Sequence, residues 1–155
     1  MSSSHVPAHH PHPWSTLGRR ILAGVIGGLA GGIVFGFLMA QMGMFPMIAS
    51  MVGSDSAGAG LIIHLTISVA VGLGLTVLFA GKFLTSYGKG AVTGLVYGVL
   101  WWVVWWGVGG LLITPLMLGV SVFTLEFMAA MTLVGHLMYG AVLGLTAVRV
   151  LKGRA

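Results

Sequence analysis

Four glycines recur at every fourth position, Gly24-x-x-x-Gly28-x-x-x-Gly32-x-x-x-Gly36, inside an uncharged apolar stretch. On a helix this spacing places them along one slowly drifting face. A water-soluble helix is poorly served by such a pattern, since each interior glycine costs about 1 kcal/mol relative to alanine. A bilayer changes the balance. With no water to bond the backbone, helix is nearly the sole spanning form for a short segment. Small residues then let two backbones approach, and close packing drives association. Gly24 to Gly36 therefore reads as the contact ridge of a transmembrane helix.

Composition agrees with that reading. The chain has 155 residues, 57% of them apolar and 6% charged, with a mean hydropathy of +1.06. A soluble domain carries about 25% charged residues. The length suits one compact bundle without a separate soluble domain. Cysteine is absent, which excludes disulfides, thiolate metal sites and cysteine nucleophiles. Asp55 and Glu126 are the two acidic residues. Hydrolytic and phosphoryl-transfer chemistry leans on more polar groups than these, so the chain reads as non-enzymatic.

Residues 1–18 are rich in Ser, Pro and His and lack an apolar period, which predicts a disordered tail. Arg19-Arg20 then opens the first apolar run. Its flanks fit a twin-arginine export signal poorly and no A-x-A cleavage site follows, so residues 20–42 read as a retained helix. Residues 43–52 stay apolar but contain Gly43 and Pro46, predicting a bent extension or a short interfacial segment. Ser54 or Asp55 is placed to cap a second helix over 57–81. A third helix is expected over 91–113, stopping before Thr114-Pro115, and a fourth over 124–148. Residues 19–152 thus form a single bundle: an all-α membrane protein with four transmembrane helices.

With four spans, the seven basic residues, Arg19, Arg20, Lys82, Lys89, Arg149, Lys152 and Arg154, fall on one side, and both acidic residues on the other. By the positive-inside rule the N and C termini are cytoplasmic, and the address is the cytoplasmic (inner) membrane of a prokaryote. The basic side suits the lipid bilayer's anionic headgroups. Nucleic acid is not expected as a partner, because no folded basic module presents these residues.

The two halves are alike. Gly32-Ile-Val-Phe-Gly36-Phe-Leu matches Gly94-Leu-Val-Tyr-Gly98-Val-Leu, and the stretch from His64 to Gly72-Leu matches that from His136 to Gly144-Leu. A proline-bearing segment lies between the blocks in each half, at Pro46 and at Pro115. Each half holds two spans, about 20–81 and 90–148. The pattern predicts a tandem 2+2 parallel repeat about an axis normal to the membrane.

His64 shares a helix face with Ser68, Gly72 and Thr76, and His136 with Gly140 and Gly144. Both histidines continue a small-residue ridge, so both are expected to face packed helices. An ionisable side chain inside a membrane is a functional candidate. Two facing imidazoles suit the axial positions of haem b, or a shared metal. The plainer reading is a pair of neutral histidines acting as hydrogen-bonded helix glue. Met39, Met42, Met44, Met47 and Met51 cluster towards the outer end of the first helix and the segment after it, with Met117, Met128 and Met131 expected on the same side. Thioethers select Cu(I), with Met42, Met47 and Met51 the candidate ligands and His64 able to join them, although methionine also fills irregular gaps. On the third helix Tyr97, Trp101 and Trp105 form one stripe, and Gly94, Gly98, Trp102 and Trp106 another. The rings can stack on a cofactor, quinone or lipid, or fill space beside glycines.

The blocks Gly94-x-x-Tyr-Gly-x-x-Trp-Trp102, Pro115-x-x-x-Gly119 and His136-Leu-x-Tyr-Gly140 resemble those of small prokaryotic four-span membrane proteins. The resemblance covers most of residues 20–148. It implies a fold and no catalytic activity. Three functions remain open on the sequence: a scaffold or accessory subunit of a membrane assembly, held in a homo-oligomer or by partner subunits; a haem- or metal-binding redox protein using His64 and His136; or a small transporter or channel.

Overall fold

In the computed structural model, residues 13–107 and 122–153 are described. Five helices account for nearly all of them: α1 (Pro13–Gln41), α2 (Phe45–Ser50), α3 (Ala57–Phe83), α4 (Tyr87–Val104) and α5 (Val122–Lys152). A single π-type turn over 105–107 prolongs α4. Four of the helices are long and apolar enough to cross a membrane. At 27 residues, α3 is about 40 Å long. That exceeds the ~30 Å of a hydrocarbon core.

Several boundaries depart from the sequence reading. The first helix begins at Pro13, so residues 13–18 belong to α1 and not to the tail. Proline lacks only an N–H that a first turn leaves unbonded anyway. Residues 1–12, with His5, His9, His10 and His12, lie outside the described residues, as does the Pro115 segment. The cap of α3 is Ser56, which accepts from the Ala59 amide, rather than Ser54 or Asp55. Ser54 instead accepts from the Ser56 amide and sets the turn before it. The kinked extension resolves into α2. Gly43 takes φ +64°, a left-handed value that side chains resist, and lets the chain fold back. The Phe45 backbone then abuts Gly60 so closely that a Cβ there would collide with it.

The helices join as two pairs. In the first, Gly24, Gly28 and Gly32 lie directly on α3; a Cβ on Gly28 would sit 2.6 Å from the Ser68 carbonyl oxygen. In the second, Gly90, Gly94 and Gly98 meet Gly140, Gly144 and the His136 backbone, with no room for a Cβ on either side. Carbonyls and Cα atoms touch where side chains would otherwise stand, the geometry small residues permit between membrane helices.

A further ridge unites the pairs. Gly27 and Gly31 of α1 take up Leu143 and Tyr139 of α5, while Gly135 of α5 takes up the Phe35 ring. The sequence reading missed this ridge, although the Gly27-x-x-x-Gly31 spacing stands beside the one it found. Setting Gly32 and Gly36 on Gly94 and Gly98 puts Lys89 and Thr93 of α4 where α1 has Gly27 and Gly31. Likewise, setting His64 on His136 puts Ile63 of α3 where α5 has Gly135. Helices α3 and α4 touch little, and α4 buries only its glycines. Tyr97 bridges the gap, donating to the Val71 carbonyl at 3.0 Å.

The described basic residues gather at one end. Arg19 donates to the Gly153 carbonyl, Arg20 to that of Val77, and the Lys152 ammonium lies 5.2 Å from the Tyr87 ring. The surface around the bundle is aliphatic and aromatic, with Phe37 71% and Val96 65% exposed, as a lipid-facing surface requires.

Candidate functional site

A cavity of about 440 Å³ lies in the half of the bundle away from the basic end, lined from α3 and α4 and by residues of α1, α2 and α5. Each helix contributes for a local reason. From α3, His64 projects at the level of Gly36 of α1. Its Nε2 donates to the Gly32 carbonyl oxygen at 2.9 Å. A carbonyl only accepts, so His64 carries its proton on Nε2 and keeps a lone pair on Nδ1. From α5, His136 directs Nδ1 to the Thr132 carbonyl at 2.8 Å, one turn back on its own helix. It is therefore the opposite tautomer, with its lone pair on Nε2. Neither lone-pair nitrogen has a partner among the described residues, and both rings line the cavity.

Phe35 of α1 stands against both imidazoles, its centroid 5.4 Å from that of His64, nearly edge-on, and 4.8 Å from that of His136. The two histidines are thus brought to one site, as the sequence suggested, with an aromatic ring packed on both of them.

The hydroxyls of Ser68, Thr132 and Tyr139 are each donated to a backbone carbonyl. Ser68 and Thr132 hydroxyls bond carbonyls of their own helices, as hydroxyls in apolar helices commonly do. Tyr139 donates to the Ser68 carbonyl at 2.6 Å and ties α5 to α3. The two tryptophan stripes separate as their spacing implies. Trp102, following the glycines, donates to Ala129 of α5 at 3.0 Å. Trp101, following Tyr97, is packed so that its buried Nε1 has no partner among the described residues. All four indoles of α4 border the cavity.

Methionine placement only partly follows the sequence reading. Met47 and Met51 line the cavity, joined by Met39, Met44 and Met128 of the same expected cluster. Met42 does not line it and packs against the core instead. Phe35 and Tyr139 were missed; their signal was an aromatic residue next to a glycine ridge, which sequence alone does not separate from ordinary packing. Among the described residues, no three His, Asp or Glu side chains come together as a metal cluster.

The cavity therefore offers apolar walls, aromatic faces, thioethers and two neutral imidazole lone pairs, with no carboxylate among its described lining residues. Such a set can accept hydrogen bonds or ligate a soft metal, but it offers no carboxylate for acid–base work. No protein-family model, curated protein or solved structure matches the chain.

Proposed function

We propose that this chain is a non-enzymatic integral membrane protein, an accessory subunit of an assembly in a prokaryotic cytoplasmic membrane. The observation that carries the reading is the state of α4. Only Gly90, Gly94 and Gly98 are buried, all towards α5, and its flank towards α3 is open. A helix held on one side within its own chain is suited to a second contact, with another subunit or with a second copy. The proposed arrangement is a tandem repeat of two helix pairs with both termini cytoplasmic. Its support is the like glycine-on-backbone closure of each pair and the gathering of basic residues at one end. Purification in mild detergent tests this reading. A defined complex or homo-oligomer is expected, and a lone monomer overturns it.

A second reading, haem or copper at the cavity, draws on the shared Phe35 contact that brings both imidazoles to thioether-lined space. His136 is the better-disposed ligand, since Nε2 is the sterically open ring nitrogen. His64 offers Nδ1, beside its own Cβ. Either group would supply redox chemistry when bound. An absorption spectrum with elemental analysis of native protein decides it: no Soret band and no bound copper or iron removes the reading.

A further inference from the structure

We propose that the α3–α4 cavity is a binding site for a hydroquinone headgroup that enters sideways from the bilayer. The inference concerns a small-molecule ligand that reaches the cavity through the α3–α4 flank while no subunit covers it.

Four features converge on this class of ligand. Helices α3 and α4 both line the cavity and both present apolar side chains such as Ile62 and Val96 outward, so an occupant that passes between them comes from the lipid phase. The space, about 440 Å³, is of the size that takes a small organic ligand and far exceeds what a single ion fills. Its lining is rich in aromatic side chains, Phe35 and the indoles of Trp101, Trp102, Trp105 and Trp106, the kind that stack on a flat ligand. Finally, the free polar capacity at the histidines is of one kind, two acceptors, while Trp101 Nε1, a donor of the lining without a partner among the described residues, is itself buried and does not open onto the cavity. His64 and His136 each spend their single N–H on a backbone carbonyl, and each keeps a lone pair. The hydroxyls of Ser68, Thr132 and Tyr139 are already donated elsewhere.

A ligand that matches this site must bring a hydrogen-bond donor. A phenolic hydroxyl does so. A quinone carbonyl or an ester does not, and would leave the imidazole lone pairs facing an acceptor. The site should therefore discriminate the reduced ring from the oxidised one, by about tenfold for one hydrogen bond of typical net strength. The proposal is of binding alone and assigns no electron transfer to the protein.

The test is titration of the detergent-purified, full-length protein with a hydroquinone bearing a decyl tail, and separately with the matching quinone. Quenching of tryptophan emission reports occupancy. Saturable quenching is expected with both, the hydroquinone binding about tenfold more tightly. In His136→Leu, which removes one acceptor while keeping apolar bulk, that preference should shrink or vanish with quinone affinity little changed. Should His136→Leu fail to fold, the comparison of the two ligands on the unmodified protein still decides. Equal affinity for the two ligands overturns the proposal, as does absence of saturable quenching by the hydroquinone. Isolation of the native protein with haem or copper on both imidazoles also overturns it.

Discussion

The Phe35 ring lies 4.8 Å from the His136 imidazole, centroid to centroid, and this contact crosses from the α1–α3 pair to the α4–α5 pair. One residue before His136, Gly135 makes the crossing possible, because any Cβ there would run into the Phe35 ring. Gly135→Ala should destabilise the folded protein by about 1–3 kcal/mol through overpacking. Phe35→Leu in the same chain should recover part of the loss, a non-additivity expected of residues in contact. Thermal retention of the monodisperse peak in detergent measures both. Additive losses would show that the two do not share the contact.

A harsher outcome is expected at Gly94. Its neighbour is the Gly140 backbone, which has no rotamer to change. Gly94→Leu should separate α4 from α5 and abolish the folded peak, at a cost of about 3 kcal/mol or more. Gly88→Ala is the control: nothing lies within 4 Å of that position, so the change should be neutral or slightly stabilising.

The turn before α3 offers a test on a smaller scale. Ser56→Ala should cost about 1 kcal/mol by removing the cap to the Ala59 amide. Asp55→Ala should cost markedly less, because the cap is not made by that carboxylate. Comparison of melting midpoints in one detergent distinguishes the two, and equal losses would return the capping role to Asp55.

The absence of cysteine makes topology directly measurable. Asp55→Cys and Thr85→Cys lie at opposite ends of α3, and both positions are exposed. In intact cells a membrane-impermeant maleimide should label Asp55→Cys and spare Thr85→Cys, since the lysine-bearing end is expected in the cytoplasm. The reverse pattern would invert the protein in the membrane.

Tyr139→Phe removes a 2.6 Å bond that links residues 71 positions apart in sequence. The Ser68 carbonyl sits within a helix, so the loss should be modest, about 0.6 kcal/mol and below 2. A loss well above that would mean that the hydroxyl also holds the cavity in shape, and would appear as altered tryptophan emission.

Much of the bundle could be read without coordinates. The helix-forming runs, the Gly24 to Gly36 ridge, the inward face of His64 and the basic end follow from period and polarity, which neighbouring residues set among themselves. Pro13 was lost to the tail because a compositional signal outweighed a helix-start signal. Met42 was grouped with Met47 and Met51 because all three are close in sequence, yet Gly43 turns the chain between them.

From its sequence alone the chain is committed to helices in a membrane, because burying an unpaired backbone in hydrocarbon is too costly and the apolar runs are long enough to avoid it. Which glycines meet which partners is decided only in three dimensions. Gly27 and Gly31 admit α5, whereas α4, with Lys89 and Thr93 at the aligned positions, touches α3 little, and His64 and His136 line the cavity between the helices. That outcome depends on the bulk facing across each junction, a property of two distant segments together and of neither by itself.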